Sequence, residues 1–243
     1  RPELRKRPIG ITNGATGTLA DDHDGDGVPN GIEYFLVGPT GNSTGFTGDG
    51  AGLACLSSSA ALHGCQFIAN VASVGAGGAV LCSNSTVAIT DCRFMANIAT
   101  WGGGLYCEGN SALDLVRCAL IGNEATFDGG LTCDGPSVVN LQSCTVAFNT
   151  SVDPSRGTGI GLTQNAVANV EASIIAFGPS GLAVYCDPGS SATLRCCDLF
   201  SNAGGDWVGC IATQAGVDGN FTADPAFCDP ASDDLRLRND SPC

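Results

Sequence analysis

The stretch Val87-Ala88-Ile89-Thr90-Asp91-Cys92-Arg93-Phe94-Met95-Ala96-Asn97 decides the fold, because its pattern recurs along the chain. The pattern reads apolar, x, apolar, x, x, Cys, x, apolar, x, x, Asn. Apolar residues two apart face the same side of a strand, and the three-residue step to the cysteine indicates a bend between strands. The copies, 24 to 29 residues apart, are Ala60, Leu62, Cys65, Phe67, Asn70; Val87, Ile89, Cys92, Phe94, Asn97; Leu113, Leu115, Cys118, Leu120, Asn123; Val139, Leu141, Cys144, Val146, Asn149; the divergent Ala168, Val170, Ser173, Ile175, Gly178; and Ala192, Leu194, Cys197, Leu199, Asn202.

A second segment precedes each copy and reads Gly-Gly or similar, then apolar, x, Cys, as in Gly103-Gly104-Leu105-Tyr106-Cys107. Coils of about 26 residues with several short strands and glycine-rich corners are typical of a β-helix, and no single copy can bury its inward face alone. We therefore predict an all-β, right-handed parallel β-helix of about six coils over residues 51–243, with a C-terminal cap. Residues 1–50 lack the repeat and are predicted to form an N-terminal arm with a calcium-binding loop.

A leucine-rich repeat is the alternative fold, because Leu115-x-x-Cys118-x-Leu120-x-x-Asn123 also fits its consensus. That fold needs a helix or a comparable segment in the rest of each repeat. Here the rest is rich in glycine and β-branched residues, which favours the β-helix.

One asparagine recurs at the end of each copy. We interpret this row as an asparagine ladder at a turn, in which each amide bonds to the next coil, rather than as a row of ligand-binding groups. The members are Asn70, Asn97, Asn123, Asn149 and Asn202.

Composition restricts the compartment and the partners. The chain has 14 cysteines, which favours an oxidising compartment and hence a secreted, extracellular or cell-surface protein. The net charge of −14, with Lys6 as the only lysine, excludes nucleic acid as a partner, since phosphate neutralisation needs clustered cations. No apolar run of 18 residues is present, so no membrane span is expected. The N-terminus has no apolar signal-peptide region, so we interpret the sequence as a mature form.

The cysteines fall in two columns separated by 10 or 11 residues. Both columns lose their cysteine in the fifth coil, where Leu162 and Ser173 stand. This joint loss predicts five disulfides within coils, namely Cys55–Cys65, Cys82–Cys92, Cys107–Cys118, Cys133–Cys144 and Cys186–Cys197. Of the remaining cysteines, we expect Cys196–Cys210 and Cys228–Cys243 to pair. Cys186–Cys196 with Cys197–Cys210 is equally compatible with the count.

Residues 22–33, Asp-His-Asp-Gly-Asp-Gly-Val-Pro-Asn-Gly-Ile-Glu, match the calcium-loop pattern D-x-D-x-D-G-x5-E. Carboxylates, a backbone carbonyl and a bidentate glutamate are the ligands that calcium prefers. The predicted ligands of one structural calcium ion are Asp22, Asp24, Asp26, Val28 through its carbonyl, Asn30 and Glu33. The segment resembles the calcium-binding repeats of dockerin-like and thrombospondin type 3-like modules.

The coils with Cys-x-Phe-x-x-Asn at Cys65–Asn70 and Cys92–Asn97, followed by Gly-Gly strands, resemble bacterial secreted β-helix proteins of the polymorphic outer-membrane-protein type. The closing segment resembles the ends of those proteins; it reads Asp224-Pro225-Ala226-Phe227-Cys228-Asp229-Pro230, then Asp234-Leu235-Arg236-Leu237 and Ser241-Pro242-Cys243. The resemblance covers about residues 51–243. It implies fold and extracellular location, and it implies no chemistry.

The sequence is compatible with three function classes. A self-assembling structural subunit is favoured, because β-helix ends expose strand edges that can pair with another chain. Arg5, Lys6 and Arg7 also form a basic arm on an acidic protein, and the partners would be copies of the same chain. A cell-surface adhesin or glycan-binding module is the alternative, with Trp101, Tyr106, Phe127 and Trp207 as candidates that are not expected to share a column.

A polysaccharide lyase or hydrolase is the second alternative, and we expect no catalysis. The arginines Arg93, Arg117, Arg156 and Arg195 and the outward acids Asp91, Glu108, Asp114, Asp128 and Asp134 are scattered over different coils. A hydrolase needs carboxylates that converge at a set spacing.

Overall fold

The computed structural model of the protein describes residues 52–232 and 234–243. Twenty-two strands wind through successive coils and stack into four parallel sheets, and two further strands form an antiparallel hairpin at the C-terminus. The predicted all-β parallel β-helix of about six coils is confirmed, and the leucine-rich repeat is not the fold.

Sheets 1 to 3 each contain one strand from every coil. Sheet 1 contains β1 (Leu53–Leu56), β5 (Val80–Ser83), β9 (Leu105–Glu108), β13 (Leu131–Asp134), β17 (Gly157–Thr163) and β20 (Leu182–Cys186). Sheet 2 contains β2 (Ser59–His63), β6 (Thr86–Thr90), β10 (Ala112–Val116), β14 (Val138–Gln142), β18 (Val167–Glu171) and β21 (Ser191–Arg195). Sheet 3 contains β3 (Gln66–Ile68), β7 (Arg93–Met95), β11 (Ala119–Ile121), β15 (Thr145–Ala147), β19 (Ile174–Ala176) and β22 (Asp198–Phe200).

Sheet 4 is shorter and contains β4 (Val71–Ala76), β8 (Ile98–Trp101), β12 (Glu124–Phe127) and β16 (Thr150–Ser151). The chain ends with the 3-10 helix Gly209–Gln214, strand β23 (Phe227–Asp229), the 3-10 turn Pro230–Ser232 and strand β24 (Asp234–Leu237).

The register of the sheets is the register that the repeat predicts. Val87 pairs with Leu113, Ile89 with Leu115, and Phe94 with Leu120. The inward side chains at these positions are fully buried and form one continuous core. Removing this apolar area from water supplies about 25 cal/mol for each Å² buried, so the stacked columns are the main source of stability.

The bend between sheets 2 and 3 is made by a single residue with a positive φ just before the column-2 cysteine or its substitute. Asp91, for example, has φ 55° and Arg117 has φ 52°. A second such residue precedes each ladder asparagine, as at Ala96 with φ 53°. Left-handed backbone costs a residue with a side chain roughly 1–2 kcal/mol, and stacking against the neighbouring coils must offset that cost. Propensity alone therefore does not reveal these corners.

The asparagine ladder is confirmed. The side-chain oxygen of Asn123 accepts hydrogen bonds from the backbone N–H (3.0 Å) and the side-chain amide (2.9 Å) of Asn97. Its own amide donates to Asn149 Oδ1 and to the carbonyl of Phe94, both at 2.9 Å. The ladder breaks in the fifth coil, where Gly178 stands.

A serine ladder at the corner between sheets 1 and 2 was not predicted. The N–H of Ser85 donates to Ser111 Oγ at 2.9 Å, and the N–H of Ser111 donates to Ser137 Oγ at 3.1 Å. All three serines are buried. Like the asparagines, they satisfy backbone donors that a corner leaves without a sheet partner.

The structure contradicts the predicted disulfide pairing of Cys186 and of Cys210. The structure contains a disulfide between Cys186 and Cys210, with a Cα–Cα distance of 6.0 Å, and the other cysteines of the described part are thiols. Neither Cys186–Cys197 nor Cys186–Cys196 forms, and Cys196–Cys210, Cys197–Cys210 and Cys228–Cys243 are absent. The other four in-coil pairs, Cys55–Cys65, Cys82–Cys92, Cys107–Cys118 and Cys133–Cys144, are not formed either. The physical reason is stacking, because each cysteine of a column lies against the equivalent cysteine of the next coil.

The C-terminal end of the helix is capped. The side-chain amide of Gln214 bonds the exposed edge of β21, accepting from the N–H of Leu194 at 2.7 Å and donating to the carbonyl of Ala192 at 2.8 Å. Asn220 Oδ1 accepts from the N–H of Cys197 at 3.0 Å, and Phe221 bridges Asp198 of β22. These contacts occupy strand-edge groups that would otherwise be open to another chain.

We predict that Asn123→Ala lowers the free energy of unfolding by at least about 2 kcal/mol. The change leaves the donors of Asn97 and the carbonyl of Phe94 buried without partners, and each such group costs roughly 1–3 kcal/mol. Urea unfolding followed by circular dichroism measures this change in the free energy of unfolding. The matched control is Asn169→Ala, an exposed amide on the outer surface, for which a change within about 0.5 kcal/mol is expected. Equal effects of the two substitutions would contradict a structural role of the ladder.

Candidate functional site: the Arg156 patch

Trp101 and Phe127 share a column, contrary to the expectation from the sequence. They are Cα partners on β8 and β12, and their rings stack with centroids 4.2 Å apart. Each lies nine residues after its column cysteine, Cys92 or Cys118, and this offset is the sequence signal that would have placed them together. Both side chains are half-buried.

Asp128 follows Phe127 and turns inward at the corner. Its carboxylate accepts hydrogen bonds from Arg156 Nη2 at 2.7 Å, from the N–H of Gly157 at 2.9 Å and from Thr132 Oγ1 at 3.3 Å. The side chain is fully buried. A glycine at position 161 makes the space, because a Cβ atom there would lie 1.9 Å from Asp128 Cγ.

Arg156 joins this carboxylate to the aromatic rings. Its guanidinium carbon lies 4.2 Å from the ring centroid of Tyr185, 5.2 Å from Trp101 and 5.8 Å from Phe127, distances at which a cation is attracted to a ring. The arginine side chain is only 12% exposed, and its Nε atom is buried without a hydrogen-bond partner. We call Trp101, Phe127, Asp128, Arg156 and Tyr185 the Arg156 patch.

The charges of Asp128 and Arg156 compensate each other inside the Arg156 patch. Burial raises the pKa of Asp128 above its ordinary value, while Arg156, Gly157 and Thr132 oppose that shift by stabilising the carboxylate. All three donors point at a carboxylate that solvent does not reach. Asp128 is thus placed to hold Arg156 against the rings, and the surface left for a ligand is aromatic.

The outward acids Asp91, Asp114 and Asp134 are engaged separately. Asp91 pairs with Arg117 at 2.8 Å on an exposed surface. Asp114 accepts from Asn140 at 2.6 Å, and the carboxylate of Asp134 accepts from Thr163. Of these four acids only Asp128 is fully buried.

The remaining aromatic candidates lie apart from one another. Tyr106 lies on sheet 1 in the same column as Tyr185. Thr132 and Gly161 stand between them, so the two tyrosines are three strands apart. Trp207 belongs to the C-terminal cap, where its indole N–H donates to Thr222 Oγ1 at 2.8 Å.

A groove of about 470 Å³ lies between sheet 3 and the C-terminal hairpin. Arg93 and Thr145 line it from the sheet, and Asp234 and Arg236 line it from the hairpin. Arg236 is paired with Asp234 at 2.7 Å, so the charges on the hairpin side are already compensated.

The predicted calcium ligands Asp22, Asp24, Asp26, Val28, Asn30 and Glu33, and the arm residues Arg5, Lys6 and Arg7, lie outside the described residues. Within residues 52–232 and 234–243, no group of three or more His, Cys, Asp or Glu side chains is arranged to hold a metal ion. In the same part of the chain, no helix has the length and apolar character of a membrane span.

Comparison with known proteins gives no assignment. No protein-family model matches the chain, and no curated protein and no solved structure shows significant similarity to it.

We predict that Arg156→Met lowers the free energy of unfolding at neutral pH by roughly 3–5 kcal/mol, because it leaves the carboxylate of Asp128 buried without a cation. Without Arg156 the pKa of Asp128 rises further. A raised folded-state pKa means that the folded protein holds the proton more tightly. The variant therefore recovers stability below the raised pKa and loses it as pH rises through that value.

Urea unfolding between about pH 4 and pH 8 measures both effects. The matched control is Arg117→Met, which removes an exposed pair and is expected to change little at any pH. A pH-independent loss in Arg156→Met would show that Asp128 does not titrate in the folded variant.

Proposed function

We propose that the protein is a secreted, non-catalytic β-helix that binds neutral glycans through the Arg156 patch. The observation that carries this proposal is the stacked pair of Trp101 and Phe127, extended by Arg156 to Tyr185. Half-exposed aromatic rings held rigidly on strands offer the flat apolar surface on which a sugar ring stacks. Rigid placement also limits the entropy lost on binding.

The charge of the chain supports a neutral ligand. The net charge of −14 repels acidic polymers, and the guanidinium of Arg156 is already neutralised by Asp128. The cysteine content supports secretion, as does the resemblance to polymorphic outer-membrane-protein-type β-helices. Catalysis is not proposed, because the buried carboxylate of the patch is engaged by three donors.

Self-assembly is the second candidate, and one observation favours it. In coil 1 of the described part, β1 to β4 each pair on one side only, and Leu56, Ile68 and Val74 of this coil are 54%, 48% and 66% exposed. Unpaired strand edges beside exposed apolar side chains favour association with another chain. The cap at the other end disfavours a filament joined through the edges of the sixth coil.

We also propose that residues 22–33 bind one calcium ion and that it orders the segment preceding coil 1. The support is the complete D-x-D-x-D-G-x5-E pattern, whose oxygen ligands suit calcium. The calcium would then influence the coil 1 end, where self-association is proposed.

We predict that the protein binds at least one neutral polysaccharide and that Trp101→Ala weakens this binding at least about tenfold, a typical loss when a central aromatic anchor is truncated. Affinity electrophoresis against a panel of neutral polysaccharides, followed by calorimetry, measures it. Leu56→Ser is the control, since it alters an exposed apolar residue at the coil 1 end and should leave affinity unchanged. Absence of binding across the panel, in protein shown to be folded, would refute the proposal.

For self-association, we predict that Leu56→Ser shifts the sedimentation distribution towards monomer, while Trp101→Ala does not. Removal of calcium with EDTA should change the distribution of the unmodified protein if residues 22–33 order the coil 1 end. Analytical ultracentrifugation over a range of concentrations measures both. If the unmodified protein is monomeric both with and without EDTA, assembly under those conditions is excluded.

A further inference from the structure

Eight cysteines form two unbroken columns through the first four coils. In column 1, Cys55, Cys82, Cys107 and Cys133 are successive Cα partners in sheet 1. Column 2 follows the bend between sheets 2 and 3 and contains Cys65, Cys92, Cys118 and Cys144. Seven of the eight are buried, and Cys65 is half-buried.

The columns end together. In the fifth coil Leu162 pairs with Cys133, and Ser173 Oγ accepts from the N–H of Cys144. Each column therefore holds an even number of adjacent cysteines. Pairing from the coil 1 end consumes all of them, whereas pairing Cys82 with Cys107 would leave one thiol stranded at each end.

Adjacent cysteines contact each other along both columns, and this includes the thiols of Cys92 and Cys118. In column 2 the N–H of Cys65 meets Cys92 Sγ at 3.3 Å, and the N–H of Cys118 meets Cys144 Sγ at 3.5 Å. In column 1 the thiols of Cys55 and Cys82 are hydrogen-bonded to each other, as are those of Cys107 and Cys133.

Distances between coils suit a disulfide. Neighbouring strands of a sheet lie about 4.7–4.9 Å apart, and disulfides span Cα–Cα distances of about 4.4–6.8 Å. Cys186–Cys210 already joins the sixth coil to the cap with a Cα–Cα distance of 6.0 Å. A bond between successive layers is thus a connection that this fold accommodates.

We propose that the two columns close four disulfides between coils, Cys55–Cys82, Cys107–Cys133, Cys65–Cys92 and Cys118–Cys144. Each forms by thiol–disulfide exchange with a small disulfide oxidant such as oxidised glutathione. Two S–H bonds break and one S–S bond forms; the two electrons and two protons reduce the oxidant to two thiols. Coils 1 and 2 are joined twice, coils 3 and 4 are joined twice, and the junction between coils 2 and 3 carries no covalent bond.

Burial determines when the bonds form. The attacking species is a thiolate; the neighbouring thiol and burial raise the pKa of Cys82, Cys92 and Cys133, whereas the neighbouring thiol lowers the pKa of Cys55 and Cys144. Seven of the eight column cysteines are buried and closed to an oxidant in solution, so oxidation takes place while the coils assemble. The proposal concerns covalent structure and is independent of glycan binding.

The test maps the disulfides in the full chain refolded with reduced and oxidised glutathione. Free thiols are blocked under denaturing conditions without reductant, and the protein is cleaved on the N-terminal side of aspartates. Cys92 and Cys107 then lie in fragment 91–113, Cys118 in 114–127, Cys133 in 128–133 and Cys144 in 134–152.

The proposal predicts that Cys118–Cys144 links fragment 114–127 to 134–152 and that Cys107–Cys133 links 91–113 to 128–133. Cys196, Cys197, Cys228 and Cys243 should form no disulfide with a cysteine of either column. Pairing within coils would instead link 91–113 to 114–127 and 128–133 to 134–152, and would overturn it. Blocking of all eight column thiols would overturn it too. A refolded Cys118→Ser variant adds a check, because it should release Cys144 alone for blocking, and release of Cys107 would contradict the pairing.

Discussion

In-register stacking of successive coils is the constraint on which the other features depend. Parallel strands about 4.8 Å apart set each inward residue directly on its counterpart in the next coil. Apolar residues thereby fuse into one core, and polar residues that repeat at a corner become ladders. The environment of an inward side chain in this fold is therefore set mainly by the equivalent residues of the adjacent coils, and less by its neighbours along the chain.

Buried polar groups follow from the same geometry. A corner takes backbone donors out of the sheets, and Asn97, Ser111 and their equivalents supply acceptors one layer away. Asp128 solves a related problem at a corner where Gly157 presents its N–H, and it then needs Arg156 as a counter-ion. The aromatic rings around Arg156 complete the enclosure on the outer surface, so the candidate site is built from a structural requirement of the corner.

The fold could be predicted from the sequence because the repeat length and the two-residue spacing of apolar side chains are set by the strands themselves. The sheets pair Val87 with Leu113 and Phe94 with Leu120, as the aligned repeats predict. The Cys186–Cys210 disulfide cannot be predicted from cysteine spacing, because stacking between coils, as of Cys107 on Cys133, sets which cysteines meet. The Trp101–Phe127 column does have a sequence signal, namely the equal offsets of the two residues from Cys92 and Cys118. The packing of Asp128 against Gly161 depends on three-dimensional contact across coils and carries no local signal.

The fifth coil departs from its neighbours at several columns at once. Gly178 replaces the ladder asparagine, Ser173 and Leu162 replace the cysteines, and neither the fifth nor the sixth coil contributes a strand to sheet 4. Gly178, Ser173 and Leu162 therefore interrupt the asparagine ladder and both cysteine columns in a single layer. Continuous corner columns therefore run through the first four coils only, and the last two coils depend on contacts particular to each layer, such as Ser173 Oγ with the N–H of Cys144 and Asn202 Oδ1 with the N–H of Gly178.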